Sequence, residues 1–444
     1  MASVMTTLRQ PAAAFRRAAP GAWRMLPGLL AWALALAFVA RLVVGYLTNQ
    51  PDQRLVDLDV YRTSGLSVLH GQPVYHVLTQ APQLLPFTYP PIAALFAVPL
   101  AMMGWPAAQV VWVAFIYVPL AVTIWYAFRP MLTRAGRHAP VVFAALFAVC
   151  AYLFPLRDQV RFGQIDVLLV ALCVADCATA RPRWSRGALI GLATAVKLVP
   201  GVFIIYLAIC GRRRAAATAV VSAAAWTLAA FALLPRDSLF YWTNAIFNSD
   251  RLGSNTGTSN QSLRGMILRL FLPSPAPSWL WLIAIIAVGV PGFLLARRMA
   301  RAGDEMAGVA ITGVLAVLLS PVAWIHHLAW VVVAIGAVAG DGTSRRRLAM
   351  AAGITVFYTL TLPWWGLSLM KVSWLPKLAG RIGQSSFGLG AIALIPLVAW
   401  AHRGEAGRRP AAGPGPPAPG IPDAGPAKAQ VRSTVSVSGE SSRR

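Results

Sequence analysis

The chain predicts an all-α polytopic membrane protein, and three observations carry that prediction. Of its 444 residues, 57% are hydrophobic, at a mean hydropathy of +0.62, above the roughly 45–50% apolar content of soluble domains. These residues gather in runs that approach or meet the roughly 20 residues needed to cross hydrocarbon, enough for about 10–13 transmembrane or re-entrant helices. Finally, arginines cluster at one set of run ends, while acidic, amide and aromatic blocks cluster at the other. An excess of Arg and Lys marks the cytoplasmic side. The net charge of +25 would point to nucleic acid in a soluble protein. Here it sits at run ends and in the C-terminal tail, where topology and anionic lipid headgroups account for it, so no nucleic-acid partner is expected.

Taken in order, residues 1–24 form a basic cytoplasmic N-terminus carrying Arg9, Arg16, Arg17 and Arg24. The apolar run 26–44 is too long for a signal-peptide core and is expected as a retained first helix. Residues 48–88 then lie outside. The stretch 88–127 reads as two segments, and an odd number of crossings requires a re-entrant element there. Arg129, Arg134 and Arg137 mark the next inside loop, 140–155 leads out, 155–164 is external, and 165–180 returns to Arg181, Arg183 and Arg186. Segment 187–210 is basic at both ends and holds Lys197 and Pro200 near its middle. Because Pro lacks a backbone donor and clashes with the preceding turn, two broken or re-entrant helices are expected. Segment 215–234 leads out to a long external stretch, 235–276, and 277–296 returns to Arg297, Arg298 and Arg301. Residues 305–320 exit to an external cap at 320–327, and 328–340 return to Arg345, Arg346 and Arg347. Spans 348–363 and 385–401, with 364–384 external between them, complete a membrane domain over 25–402. The tail 403–444 is rich in Pro, Gly and Ala, then in Ser and Thr, and is expected to be disordered and cytoplasmic. The four cysteines (Cys150, Cys173, Cys177, Cys210) all lie in apolar segments, so neither a disulfide framework nor a metal site is expected.

The external blocks carry the candidate chemistry. Val56-Asp57-Leu58-Asp59-Val60-Tyr61 offers carboxylates just beyond the first span. Residues two apart do not share a helix face, so at most one acid points into a common cavity. One is a candidate general base; the alternative is a pair of solvated loop acids. Pro86-Phe87-Thr88-Tyr89-Pro90-Pro91 reads either as an interfacial helix start or as a cavity wall. Arg157 and Arg161 break the charge rule by lying outside; Arg161 is a candidate to hold a phosphate, and the alternative is an Arg157–Asp158 or Arg161–Asp166 ion pair. Asp176 and Lys197 are charges at membrane depth, functional by default and candidate partners of each other. Thr258-Ser259-Asn260-Gln261-Ser262-Leu263-Arg264-Gly265 suits a polyhydroxylated ligand or an ordinary polar loop. His326 and His327, being adjacent, are a poor chelating pair, since zinc helices use i, i+4 spacing; one could donate to a phosphate or a sugar hydroxyl.

In order, these motifs, together with Gly163-Gln164-Ile165-Asp166, Val196-Lys197-Leu198-Val199-Pro200 and Ser320-Pro321, resemble the bacterial polyprenyl-phosphate-mannose-dependent α-1,2-mannosyltransferases, glycosyltransferase family 87. The resemblance covers roughly 25–400. It implies a GT-C membrane fold, an active site at the extracytoplasmic face of the plasma membrane, and no nucleotide-sugar site, cofactor or metal. The first acid of the family's motif maps to Asp57 as the essential base, leaving Asp59 at a variable position, and one of His326 and His327 is implied in the active site. Substrate contacts are expected from Asp59, Tyr61, Thr88, Tyr89, Arg157, Arg161, Gln164, Lys197, Asn260, Gln261 and Arg264. The implied partners are a polyprenyl-phosphate sugar donor, a glycolipid or glycan acceptor and membrane lipids. Asp166 stands where the family often has Asn. Arabinofuranosyl transfer is the alternative within the family. From a different class, a lipid-linked sugar flippase would use broken helices with midplane charges, but the chain shows no paired halves, and its polar blocks cluster on one face.

Overall fold

A computed structural model describes residues 22–50, 54–371 and 374–402. The tail from 403 and the N-terminal stretch up to 21 lie outside the described residues. Every regular element among the described residues is a helix, and the pairings of Leu78 with Pro86 and of Asn260 with Trp324 are isolated bridges. Among the described residues, five helices are long and apolar enough to cross a membrane: Met25–Leu47, Trp105–Ala127, Arg129–Tyr152, Arg213–Leu233 and Ala276–Arg301. A sixth path, Arg345–Thr359 followed by Leu362–Leu369, bends by 51°. Shorter apolar helices, among them Pro91–Ala101, Glu305–Leu319 and Ser386–Ala401, pack between them. The chain is a membrane protein.

Packing is inverted relative to length. Every residue of the short helix Val331–Ala339 is buried, as are Ala307 through Leu318 of Glu305–Leu319. The long helices instead expose Leu29, Leu34, Val221 and Ile283, apolar surface that lipid accepts. Between helices in lipid the association energy comes from close packing rather than from hydrophobic burial. Gly313 shows this: a Cβ there would sit 2.1 Å from the Trp330 ring, which rests on bare backbone.

The helix Ala188–Val196 stops at Lys197, whose backbone is extended, and the chain resumes as a turn at Val199–Gly201 and a helix at Val202–Ile209. The break falls where expected, because Pro200 could neither donate to the Val196 carbonyl nor clear it. Asp176, by contrast, does not meet Lys197. Its carboxylate accepts Trp184 Nε1 at 3.0 Å and the main-chain N–H groups of Gly187 and Ile190 at 2.9 and 3.0 Å, capping the next helix. Asp176 lies ten residues, about 15 Å, along its helix from Asp166, and it is Asp166 that Lys197 reaches. Gly187 takes φ +102°, and a Cβ there would strike the Ala215 carbonyl oxygen at 2.0 Å, so the corner holding Asp176 requires glycine.

Three stretches expected as loops hold helix. Residues 364–384 fold largely into Leu362–Leu369 and Trp374–Gln384, crossing where Gly366 meets Gly380 and Gly383. The link around Arg134, expected as an inside loop, is the helix Arg129–Ala135. The stretch 235–276, expected as an external loop, contains Pro235–Thr243 and Leu263–Leu268.

Candidate active site

Asp57 opens the helix Val56–Leu69, outside the membrane-spanning segments, where the first turn favours a carboxylate. The preceding residue, Leu55, donates its N–H to the Arg161 carbonyl at 2.7 Å, fixing that helix start against Phe154–Phe162. Phe154–Phe162 ends at Gly163 (φ +71°, a left-handed cap that glycine adopts freely), whose carbonyl accepts Trp112 Nε1 at 2.7 Å. The cap turns the chain so that Gln164 faces Asp57, with Gln164 Nε2 donating to Asp57 Oδ2 at 2.6 Å. Gln164 Oε1 accepts from the Tyr89 hydroxyl at 3.0 Å and the Tyr61 hydroxyl at 3.2 Å. The amide is therefore oriented by its own partners, oxygen to the phenols and nitrogen to the carboxylate.

Beside this network lies a second one. Lys197 Nζ donates to Asp166 Oδ1 at 2.7 Å and stands 3.0 Å from His327 Nε2, while resting 5.2 Å above the Tyr89 ring. An ammonium has donors only, so His327 Nε2 accepts and its proton sits on Nδ1. Burial, and after it the charge of Lys197, hold His327 well below the usual imidazole range, so His327 is a neutral donor at Nδ1. Asp166, His326 and His327 each bring a ligand-type atom within 4.8 Å of the others, but the Lys197 ammonium already stands between Asp166 and His327.

Both networks open on a cavity of about 370 Å³ lined by Asp57, Thr88, Tyr89, Gln164, Lys197 and His327, with Ser320, Trp324, Tyr241 and Arg251 around them. Burial pushes the Asp57 carboxyl up to about 7, against the pull of the Gln164 bond and the Lys197 charge; Asp166 adds to the rise. Tyr61 lies just behind, in an adjoining apolar pocket of about 170 Å³ with Trp112 and Leu169.

The other expected contacts point elsewhere. Arg157 donates to the Thr359 carbonyl at 2.9 Å and lines a separate outer cleft beside Tyr46 and Tyr152. Arg161 packs its guanidinium 5.1 Å from the Phe162 ring, and Arg264 packs 5.5 Å from Trp281 while donating to Ser249 Oγ. None of the three lines the cavity. Asn260 and Gln261 are fully buried. Asn260 Oδ1 accepts from Ser262 Oγ and from the Ala323 N–H, and Gln261 is held by the Gln384 carbonyl and the Gly388 N–H. These amides fasten loops together. Asp59 is half-buried near Arg62, off the cavity. His326 is buried behind His327 against Phe162, both ring nitrogens without a hydrogen-bond partner among the described residues. The residues that sequence reasoning missed are Tyr241 and Arg251; nothing in the stretch Asn248-Ser249-Asp250-Arg251-Leu252 sets that arginine apart from a loop charge.

The family model for glycosyltransferase family 87 matches residues 87–321. A polyprenol-phosphate-mannose-dependent alpha-(1-2)-phosphatidylinositol mannoside mannosyltransferase of Mycobacterium tuberculosis is 33% identical over 72% of this chain and 78% of its own length. The protein of the same description from Mycolicibacterium smegmatis is 36% identical over 69% and 76%. A phosphatidylinositol pentamannoside mannosyltransferase of Mycobacterium tuberculosis is 31% identical over 84% of each. The solved structure of ArnT from Cupriavidus metallidurans bound to undecaprenyl phosphate covers 83% of this chain and 77% of that one at 14% identity and a TM-score of 0.36, too loose a likeness to carry an argument. With the matched region running from the Thr88–Tyr89 wall through Gln164 and Lys197 to Ser320–Pro321, the chain belongs to glycosyltransferase family 87.

Proposed function

We propose that this chain transfers mannose from polyprenyl-phosphate-mannose to a hydroxyl of a phosphatidylinositol-mannoside-type envelope glycolipid, inverting the anomeric carbon to give an α-(1→2) link. The site faces outward from the bacterial plasma membrane, the domain 25–402 has the GT-C architecture, and both termini are cytoplasmic. The observation that carries the reading is Asp57: a carboxyl facing a polar cavity, raised to about 7 by burial and oriented by Gln164 at 2.6 Å. The relatives' names support the donor and acceptor classes.

A base works best with a pKa near the operating pH. Gln164 occupies Asp57 Oδ2, leaving Oδ1 to take the acceptor's hydroxyl proton as that oxygen attacks the anomeric carbon. The carbon–oxygen bond to phosphate breaks as the new glycosidic bond forms, and polyprenyl phosphate leaves with the electron pair. Its phosphate needs positive charge and donors rather than a proton; the His327 Nδ1–H is one donor. Lys197 keeps Asp166 neutralised beside the site.

Transfer of labelled mannose from polyprenyl-phosphate-mannose in membranes bearing wild type or Asp57→Asn tests this. The variant should fold and lose about 10²–10⁴-fold in turnover. Wild-type turnover in a folded variant would end the base assignment. An arabinofuranosyl product would move the assignment to that donor, and sugar translocation without a new glycosidic bond would favour a flippase.

A further inference from the structure

Building on that proposed function, we infer that Arg251 binds the phosphodiester of the lipid-phosphate sugar donor. Four of the arginines and lysines near the outer face are already engaged. Arg157 is bound to the Thr359 carbonyl and Arg264 to Ser249 and Trp281. Arg161 packs on Phe162 away from the cavity, and Lys197 is neutralised by Asp166 at 2.7 Å. Arg251 shares with Arg157 a main-chain carbonyl anchor and an Nε without a partner among the described residues, and differs from it in place. It lines the cavity that contains Asp57 and forms no ion pair among the described side chains. Its Nη2 bonds only to main-chain oxygens, that of Tyr75 at 2.8 Å and, at 3.5 Å, that of Phe87. Its buried Nε has no partner among the described residues.

Those two carbonyls belong to the segment between the Asp57 helix and Thr88, so they hold the guanidinium at the cavity wall without cancelling its charge. An anchored arginine that pairs with no described carboxylate and keeps unused donors suits a phosphate, whose oxygens match the planar fork. The donor brings one negative charge. On transfer the leaving phosphate gains a second, up to the proton it retains near neutral pH, so the attraction grows along the reaction coordinate. The acceptor glycolipid also carries a phosphodiester, on its inositol. The donor is the better match because its phosphate is bonded to the carbon that Asp57's substrate attacks, and Arg251 shares the cavity with Asp57.

The test is steady-state kinetics of wild type, Arg251→Gln and Arg251→Lys in detergent, varying polyprenyl-phosphate-mannose and the phosphatidylinositol mannoside separately, with polyprenyl phosphate as product inhibitor. Loss of a charge-assisted bond raises the donor KM about ten-fold or more in Arg251→Gln and weakens product inhibition in parallel. The acceptor KM stays flat, and Arg251→Lys recovers part of the loss. A donor KM equal to wild type, or a rise confined to the acceptor, overturns the inference while leaving the proposed reaction intact. An equal rise in both KM values with a lower melting temperature also overturns it, identifying Arg251 as a loop fastening only. A wild type that transfers no sugar from the polyprenyl-phosphate donor removes the proposed function and this inference together.

Discussion

Replacing Gln164 by Leu isolates the hydrogen bond that tunes the proposed base. Gln164 donates to Asp57 Oδ2 at 2.6 Å, and this bond favours the ionised carboxyl, so its loss must raise the Asp57 pKa. A hydrogen bond to a charged group is worth about 1.5–3 kcal/mol, and about 1.4 kcal/mol corresponds to one pH unit. Starting from about 7, the acid limb of the kcat/KM profile should move up by about one to two pH units. For a one-unit rise the ionised fraction at pH 7 falls from about a half to about a tenth, a roughly five-fold loss of rate. That loss should be largely restored above pH 8, because a carboxyl that ionises later is still a competent base there. The assay is initial-rate mannose transfer from pH 5.5 to 9.5 with the acceptor well below its KM, wild type and variant side by side. An acid limb that stays in place or moves down would refute the coupling, and a loss equal at all pH values would show that Gln164 acts through Tyr61 and Tyr89 instead.

Other outcomes follow from the second network. Lys197→Met strands the Asp166 carboxylate, a buried-pair break that costs about 3–5 kcal/mol; thermal unfolding should show it, and adding Asp166→Asn should recover much of the stability. His327→Ala should lower kcat, since His327 lines the cavity, whereas His326→Leu, which replaces a buried ring with unpartnered nitrogens, should leave the melting temperature within a few degrees and transfer close to wild type. The reverse pattern in labelled transfer would exchange their roles. Chelation should not change turnover, because the Lys197 ammonium bonds Asp166 and approaches His327 at 3.0 Å; activity lost to chelator and restored by a divalent ion would contradict that.

The helical, membrane-embedded character was legible because composition and charge asymmetry report on solvent directly, and the break at Lys197 because Pro200 acts through covalent geometry. Asp57, Thr88, Tyr89, Gln164, Lys197 and His327 were all singled out in the sequence, and they converge from separate stretches on one cavity. The arginines were harder to read. A guanidinium serves an aromatic face or a carbonyl as readily as a phosphate, so Arg157, Arg161 and Arg264 looked alike in the sequence and differ only in their neighbours. The polar run at Asn260 misled for a related reason: side chains that could hold a sugar are equally able to hold a buried main chain, and only burial tells the two apart.

That run has an evolutionary corollary. Asn260 and Gln261 weld this part of the 235–276 stretch to the Ala323 and Gly388 main chains, so the residues before them, with Arg251, Leu252 and Gly253 at the cavity, hang from a rigid post. A substitution at Leu252, which lines the cavity, can reshape the rim without loosening the floor where Asp57 and Gln164 sit, whereas Asn255, Gly257 and Thr258 are tied into the post. A lineage could in this way remodel the mouth of its cavity by rewriting a few codons while inheriting the floor unaltered.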